Sequence, residues 1–417
     1  MKRNFIVVAL GSTGDVNPML GIGLELLHRG HDVTFIANPV FESQAKAGGV
    51  RFVPVGTERD YQFVWDPDSW RWWRIAAAFK KGWLPFMRPT YESIASQSRP
   101  PGTVLVANSV AAGAQFAQEK FSLPLVMVTP SRLLFESLDD FPNYGPFQNA
   151  PRWLGRPARR VHGRFTDIFI DRWVGDGVNA IGSEIGLRSQ RRFFSSWVQS
   201  AERAVGLWPD WFARPQSSWP QQLVLAGFLN YDRDELETVD ETSALTKAGH
   251  ETPIVFTCGS AMTHAQAFLD LAVGVQRILR RPVVVVTDRP LRPRSPLPPG
   301  VTYSPYVPFK RLFPRAAAIV HHGGIGTCSA ALSAGKPQLI VPLAYDQFDN
   351  AELCEKLGVA RRVSRHLLTP PRVSRRLRSM LGSAHVAERC RKLAQRIDSR
   401  AAMSRVCDAV QTLPEGR

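Results

Sequence analysis

The sequence predicts an α/β protein built from two successive parallel-sheet domains. Three observations carry that prediction. Short, apolar, partly β-branched runs alternate with helix-length segments in both halves, as at 5–10, 32–37, 253–257 and 282–287. Each half also contains a strand that ends in a glycine-bearing turn and re-enters a helix, at Gly11–Asp15 and at His321–Thr327. Finally, 417 residues exceed one ordinary core, so two domains of about 200 residues are the natural division.

Residues 5–10 read as a buried parallel strand and 11–15 as the turn after it. Pro18 sits in the first helical turn, where a missing N–H is harmless, and Gly30 stops the helix. Residues 32–37 form the next strand, and further strand signals fall at 51–55, 103–106 and 123–128. The spacing around Gly11 is not G-x-G-x-x-G, which disfavours a dinucleotide cofactor. Trp65, Trp70, Trp72, Trp73 and Trp83 then lie within nineteen residues, and all eleven tryptophans precede residue 220. This concentration marks the first half as the one that handles an apolar partner, with Trp65, Trp70, Trp73 and Asn108 as candidate pocket residues; a tryptophan core is the competing account. Asp66 and Asp68 read as turn and cap residues rather than metal ligands. Residues 141–175 suggest a loop and helix, and the aromatic, proline-bearing run 208–220 suggests a hinge. The division expected is 1–212, a linker at 213–222, 223–395, and a helix in 396–417 returning to the first domain.

The second half is organised around 317–351. An apolar strand enters HHGGIGT, a small-residue helix ends at Gly335, residues 337–342 form another strand, and 345–350 a polar loop. A glycine-rich turn between strand and helix lets backbone N–H groups and the helix N-terminus approach phosphate oxygens, and an adjoining Asp-Gln pair can hold hydroxyls. Phosphate beside hydroxyls points to a nucleotide sugar.

Composition sets outer limits. Hydrophobic residues at 44% and charged residues at 21% describe a globular chain. The apolar run near the start is about six residues long, short of a signal sequence's ~7–15, and no stretch nears the ~20 of a membrane span, so a cytoplasmic protein is expected. Cys258, Cys328, Cys354, Cys390 and Cys407 show no metal-type spacing and read as structural thiols. Net charge is 52 − 36 = +16, and 361–405 alone holds thirteen Lys/Arg against two acids. That run can lean on an anionic membrane; without a recognition motif it does not indicate nucleic acid.

The order HHGGxGT, GxPQ, P-x3-DQ-x2-NA closely resembles the donor-binding signature of family 1 glycosyltransferases, in their bacterial natural-product and lipid branch. The run GSTGDVNPMLGIGLELLHRGHDV resembles that family's N-terminal segment. The resemblance implies the GT-B fold, two Rossmann-like domains facing each other across a cleft, which must close for reaction. It implies Asp15 as the base that deprotonates the acceptor; capping the helix is that residue's competing role. His321, Gly324, Gly326 and Thr327, with Gly259 and Ser260, would hold the donor diphosphate in place of a metal ion. Asp346 and Gln347 would hold the sugar, and Tyr306, Val307 and Ser329 would lie at the base and ribose. Ser329 stands where many UDP-sugar enzymes carry a glutamate, which is compatible with a dTDP donor. The stretches EKFSLPLVMVTPSRLL, LWPDWFARPQSSWPQ and AYDQFDNAE look like the rhamnosyltransferases of rhamnolipid synthesis. This implies rhamnosyl transfer from dTDP-rhamnose, or another dTDP- or UDP-hexose, to a fatty-acid-derived hydroxyl, with a possible acyltransferase-like partner chain and no cofactor. Transfer to a sterol or macrolide, a nucleotide-sugar 2-epimerase and a non-catalytic binding subunit remain the alternatives.

Overall fold

The computed structural model describes residues 2–62, 75–145, 155–197, 199–231, 251–259, 265–287 and 296–413. They form two compact units. The first comprises residues 1–142, 146–229 and 399–417, and the second 143–145 and 230–398.

The first unit holds seven parallel strands: β1 (Asn4–Ala9), β2 (Asp32–Ala37), β3 (Arg51–Pro54), β4 (Thr103–Asn108), β5 (Leu125–Thr129), β6 (Arg203–Gly206) and β7 (Leu223–Leu225). Their order is β3-β2-β1-β4-β5-β6-β7. Phe5, Val7, Val104 and Val106 are fully buried, as strands covered on both faces require. Helix Thr13–His28 lies against β1 and β2. Helix Ser399–Gln411 completes the same core, where Val406, Val410 and Leu413 cluster with Phe5 and Leu20. Arg29 fixes it by bonds to Asp408 (2.5 Å) and Gln411 (2.7 Å), and Arg203 by one to Thr412 (2.7 Å).

The run expected as a hinge and linker belongs to this unit. Trp208 and Trp219 are buried and packed edge to face at 6.0 Å, and β7 pairs with β6 just beyond them. The division therefore falls after Leu229. Aromatic packing, not a flexible joint, explains why 208–220 lacks a regular period.

The second unit is a six-stranded parallel sheet of β8 (Ile254–Thr257), β9 (Val283–Val286), β10 (Val301–Ser304), β11 (Ala318–His321), β12 (Gln338–Ile340) and β13 (Ala360–Arg362). The order is β10-β9-β8-β11-β12-β13. Residues 143–145 count with it because the Asn143 N–H bonds Asp349 (2.8 Å) and its side chain bonds Glu352 (2.7 Å).

Both sheets reverse direction of travel once, between β1 and β4 and between β8 and β11. Open α/β sheets bind ligands beyond the carboxyl ends of strands at such a reversal. Asp15 and Asn108 follow or end one pair of strands; Gly259 and His322 follow the other.

Candidate functional site

In the first unit, Gly11 turns the chain with φ +106°, leaving room for Asp15 to fold back; a Cβ there would lie 2.6 Å from Asp15 Oδ2. That oxygen accepts from the Ser12 N–H (2.9 Å) and the Ser12 hydroxyl (2.8 Å), half of a capping box. Burial raises the carboxyl above its ordinary range, against the lowering effect of the Ser12 bonds. Oδ1 takes no part in either bond. Capping therefore occupies one oxygen of the carboxylate and leaves the other outside those bonds.

Asn108 departs from its expected role as a pocket residue. Its Nδ2 donates to the Leu10 carbonyl (2.7 Å) and its Oδ1 accepts the Leu10 N–H (3.3 Å). Both ends of the amide hold the backbone that enters the Asp15 turn, so Asn108 positions the turn. Trp65, Trp70, Trp73 and Ser260 lie outside the described residues.

In the second unit, helix Ile325–Ser333 starts at Gly324 without a side-chain cap. A Cβ added at Gly326 would meet nothing within 4 Å, so the helix start faces open space. Helix N-termini with uncapped N–H groups attract anions. Gly323, at φ +96°, is packed closely: a Cβ would approach Ile340 to 2.8 Å.

The two adjacent histidines have different surroundings. His321 is fully buried, with Nε2 3.0 Å from Gln338 Oε1 and Nδ1 accepting the Gly323 N–H at 3.1 Å. Burial, and secondarily His322, lowers its pKa to about 3. A neutral ring with both nitrogens engaged cannot donate to a phosphate; its work is to hold the turn. His322 is partly exposed and sits against both glycine turns. Built Cβ atoms at Gly259 and Gly324 would each come within 2.5 Å of its ring, the second at Nε2. Its Nδ1 is shut from solvent with no hydrogen-bond partner among the described residues, and burial lowers its pKa to about 4. An orphaned buried lone pair is more easily tolerated than an orphaned N–H, which puts the proton on Nε2, beside the helix start. Alternation along β11 carries the signal: the last strand residue points into the sheet packing, and the next one leaves it.

The polar loop is tied to this turn. Asn350 Nδ2 donates to the Gly323 carbonyl (3.1 Å) and to Asp346 Oδ2 (2.8 Å). Asn350, which belongs to the quoted motif, thus links the 345–350 loop to the glycine turn. The Gln347 side-chain Oε1 is already engaged, accepting from the Leu343 N–H (2.9 Å) and the Ala344 N–H (3.2 Å), while its Nε2 takes no part in those bonds. Ser329 also differs from expectation: it is buried, with Oγ 2.9 Å from both Asn230 Oδ1 and the Gly326 carbonyl. Its hydroxyl hydrogen is engaged inside its own unit. The Val307 side chain lies in the core with Leu312 and Phe313, so only its backbone could read a base. Tyr306 is half-buried beside it, its carbonyl accepting from Ser304 Oγ (2.9 Å).

Comparison with known proteins matches this arrangement from both ends. Residues 5–131 match the glycosyltransferase family 28 N-terminal domain, and 276–413 match the C-terminal domain of erythromycin biosynthesis protein CIII-like proteins. The chain is a GT-B glycosyltransferase. It is 23% identical to 4'-demethylrebeccamycin synthase of Lentzea aerocolonigenes, over 99% of each chain. Among solved structures, the glycotransferase of kitacinnamycin superposes with a TM-score of 0.76 at 20% identity, covering 99% of both chains. The glycosyltransferase VinC in complex with dTDP superposes at 0.66 and 19%, covering 98% of both. These relatives place the glycosyltransferase among antibiotic and natural-product sugar transferases; they do not single out the rhamnolipid enzymes. No group of three potential metal ligands occurs among the described residues.

Proposed function

We propose that this glycosyltransferase moves a hexosyl group, with inversion, from a dTDP- or UDP-sugar to a hydroxyl of a natural-product acceptor of macrolide or sterol-like kind. The uncapped start of helix Ile325–Ser333, flanked by His322 Nε2, carries the reading. It is a preformed anion site joined through Asn350 to a carboxylate that can hold sugar hydroxyls. The first unit is then the acceptor side and the second the donor side. In the reaction, Asp15 takes the proton of the acceptor hydroxyl as its oxygen bonds to the anomeric carbon. The bond from that carbon to the diphosphate breaks, and the leaving charge meets the N–H groups of Gly326 and Thr327 and His322 Nε2. The raised pKa of Asp15 suits a base whose proton transfer comes late. Support for a dTDP donor comes from VinC, whose structure holds dTDP.

The natural-product relatives favour that acceptor class. A second reading, rhamnosyl transfer to a fatty-acid-derived hydroxyl, rests on the three stretches similar to rhamnolipid enzymes. Incubation with dTDP- and UDP-sugars and a panel of a macrolide, a sterol and a 3-hydroxy fatty acid, read by mass spectrometry, separates the two. Nucleotide release only with a panel acceptor is expected. An epimerised donor formed without any acceptor would sink the transferase reading.

A further inference from the structure

Eight large apolar side chains stand exposed among the described residues, and five fall on one segment: Val161, Phe165, Ile168, Phe169 and Trp173. Four lie on helix Arg156–Ile170, and Trp173 on the π-helical turn Asp171–Gly175 that continues it. Spacings of four, three, one and four residues put all five on one face. Phe165 is 67% and Ile168 63% exposed, and the Phe169 ring tilts onto Trp173 at 4.1 Å. A helix of a globular domain ordinarily turns such a stripe inward.

The charges on the segment are sorted as well. Arg160, Arg164 and Arg172 are exposed, Arg160 and Arg164 one turn apart along an edge of the stripe. The two acids face the protein. Asp167 is buried near Arg192, and Asp171 accepts the backbone N–H groups of Arg192 (2.7 Å) and Phe193 (2.8 Å). Within 156–175 the exposed charges are therefore all cationic, and the next acid, Asp176, is exposed just beyond the segment's end. Arg156 (to Asp139, 3.0 Å) and Arg159 (to the Leu138 carbonyl, 2.7 Å) anchor the other end of the helix.

The basic helices Pro370–Leu381 and Ala384–Ala394 make the contrast. There Val373, Leu377, Met380, Val386 and Leu393 are all buried, so the arginines form a solvated face with nothing to insert. No helix among the described residues is long and apolar enough to cross a membrane.

We propose that the segment 156–175 is an interfacial helix that seats on an anionic phospholipid surface. Phe165, Ile168, Phe169 and Trp173 enter the acyl boundary, and Arg160, Arg164 and Arg172 meet the lipid phosphates. This placement is independent of which sugar or acceptor the enzyme uses.

The test is co-sedimentation of the full chain with vesicles of phosphatidylcholine, alone or mixed with phosphatidylglycerol. Wild type is expected to partition onto the mixed vesicles at least tenfold more than onto the neutral ones. Phe165→Ser/Ile168→Ser and Arg160→Glu/Arg164→Glu should each reduce that partition at least tenfold, with thermal midpoint unchanged. Arg375→Glu/Arg376→Glu should retain it. Hydrogen exchange on the wild type supplies a measurement that needs no variant: anionic vesicles should slow exchange in 156–175. The proposal is overturned if wild type stays in the supernatant, if the stripe variants partition like wild type, or if 156–175 gains no protection. It is also overturned if Phe165→Ser/Ile168→Ser only converts a dimer to a monomer in light scattering, which would make the stripe an interface between copies.

Discussion

The two glycine turns are built alike and charged in opposite ways. Each follows a parallel strand at a sheet reversal, and each uses a left-handed glycine, Gly11 at φ +106° or Gly323 at φ +96°. In the first, the helix start receives the chain's own carboxylate, since Asp15 reaches back to Ser12. In the second the helix start has no acid and no side-chain cap, only a neutral histidine at its edge. A strand-turn-helix unit thus supplies a positive end either way, and the residue at the third helical position decides what occupies it. On the proposed function, the internal acid serves as the base, and its absence leaves a site for a foreign anion.

Removing the acid should have the largest effect. Asp15→Asn keeps a hydrogen-bonding side chain at the cap yet cannot accept a proton, so kcat should fall by roughly 10³-fold. Donor affinity by calorimetry should be unchanged, and transfer at wild-type rate would remove Asp15 from the chemistry. Next comes the partner turn. His322→Ala should weaken donor binding by roughly 10- to 100-fold, the loss of one hydrogen bond to a charged group. His321→Ala should instead destabilise the fold by about 1–3 kcal/mol, because it orphans Gln338 and the Gly323 N–H, and should affect donor binding less. The reverse ranking in paired melting and calorimetry experiments would restore His321 as the phosphate ligand.

Two pH effects sharpen the contrast. Burial raises the Asp15 carboxyl, so kcat/KM should fall as pH drops through a value above the ordinary aspartate figure of about 3.9. An acid limb at or below that figure would argue against a buried base. Both histidines have folded pKa values, about 3 and about 4, below the unfolded value of about 6.5. Their contribution to stability is complete above about pH 6.5 and is lost as pH falls toward those folded values. Denaturant unfolding of His321→Ala should show a shallower loss over that window than wild type.

Much of this was legible in the sequence. Parallel strands buried on both faces read as unbroken apolar runs, as at 5–10 and 282–287, and glycine between strand and helix marks the turn. The short strands β6, β7 and β13 were not legible, because three or four residues such as Ala360–Arg362 carry no periodic signal. The roles of paired residues were also hidden. His321 and His322 are chemically identical, and only the strand's end decides which ring is buried. Asn108 and Ser329 are polar residues that look available in a string but bond to Leu10 and Asn230 once the chain is folded. Residue type limits what a side chain can do, and burial selects among the possibilities.

Helix Ser399–Gln411 has a consequence for biosynthesis. It completes the core of the first unit, yet residues 230–398 must be translated before it. Until then the face of Phe5 and Leu20 that receives Val406 and Val410 has no cover, and an early-emerging sheet is obliged to wait with apolar surface exposed. Residues 230–398 are contiguous on the ribosome and hold all six strands of their own sheet before residue 399 is made. The half made first is the half that finishes last.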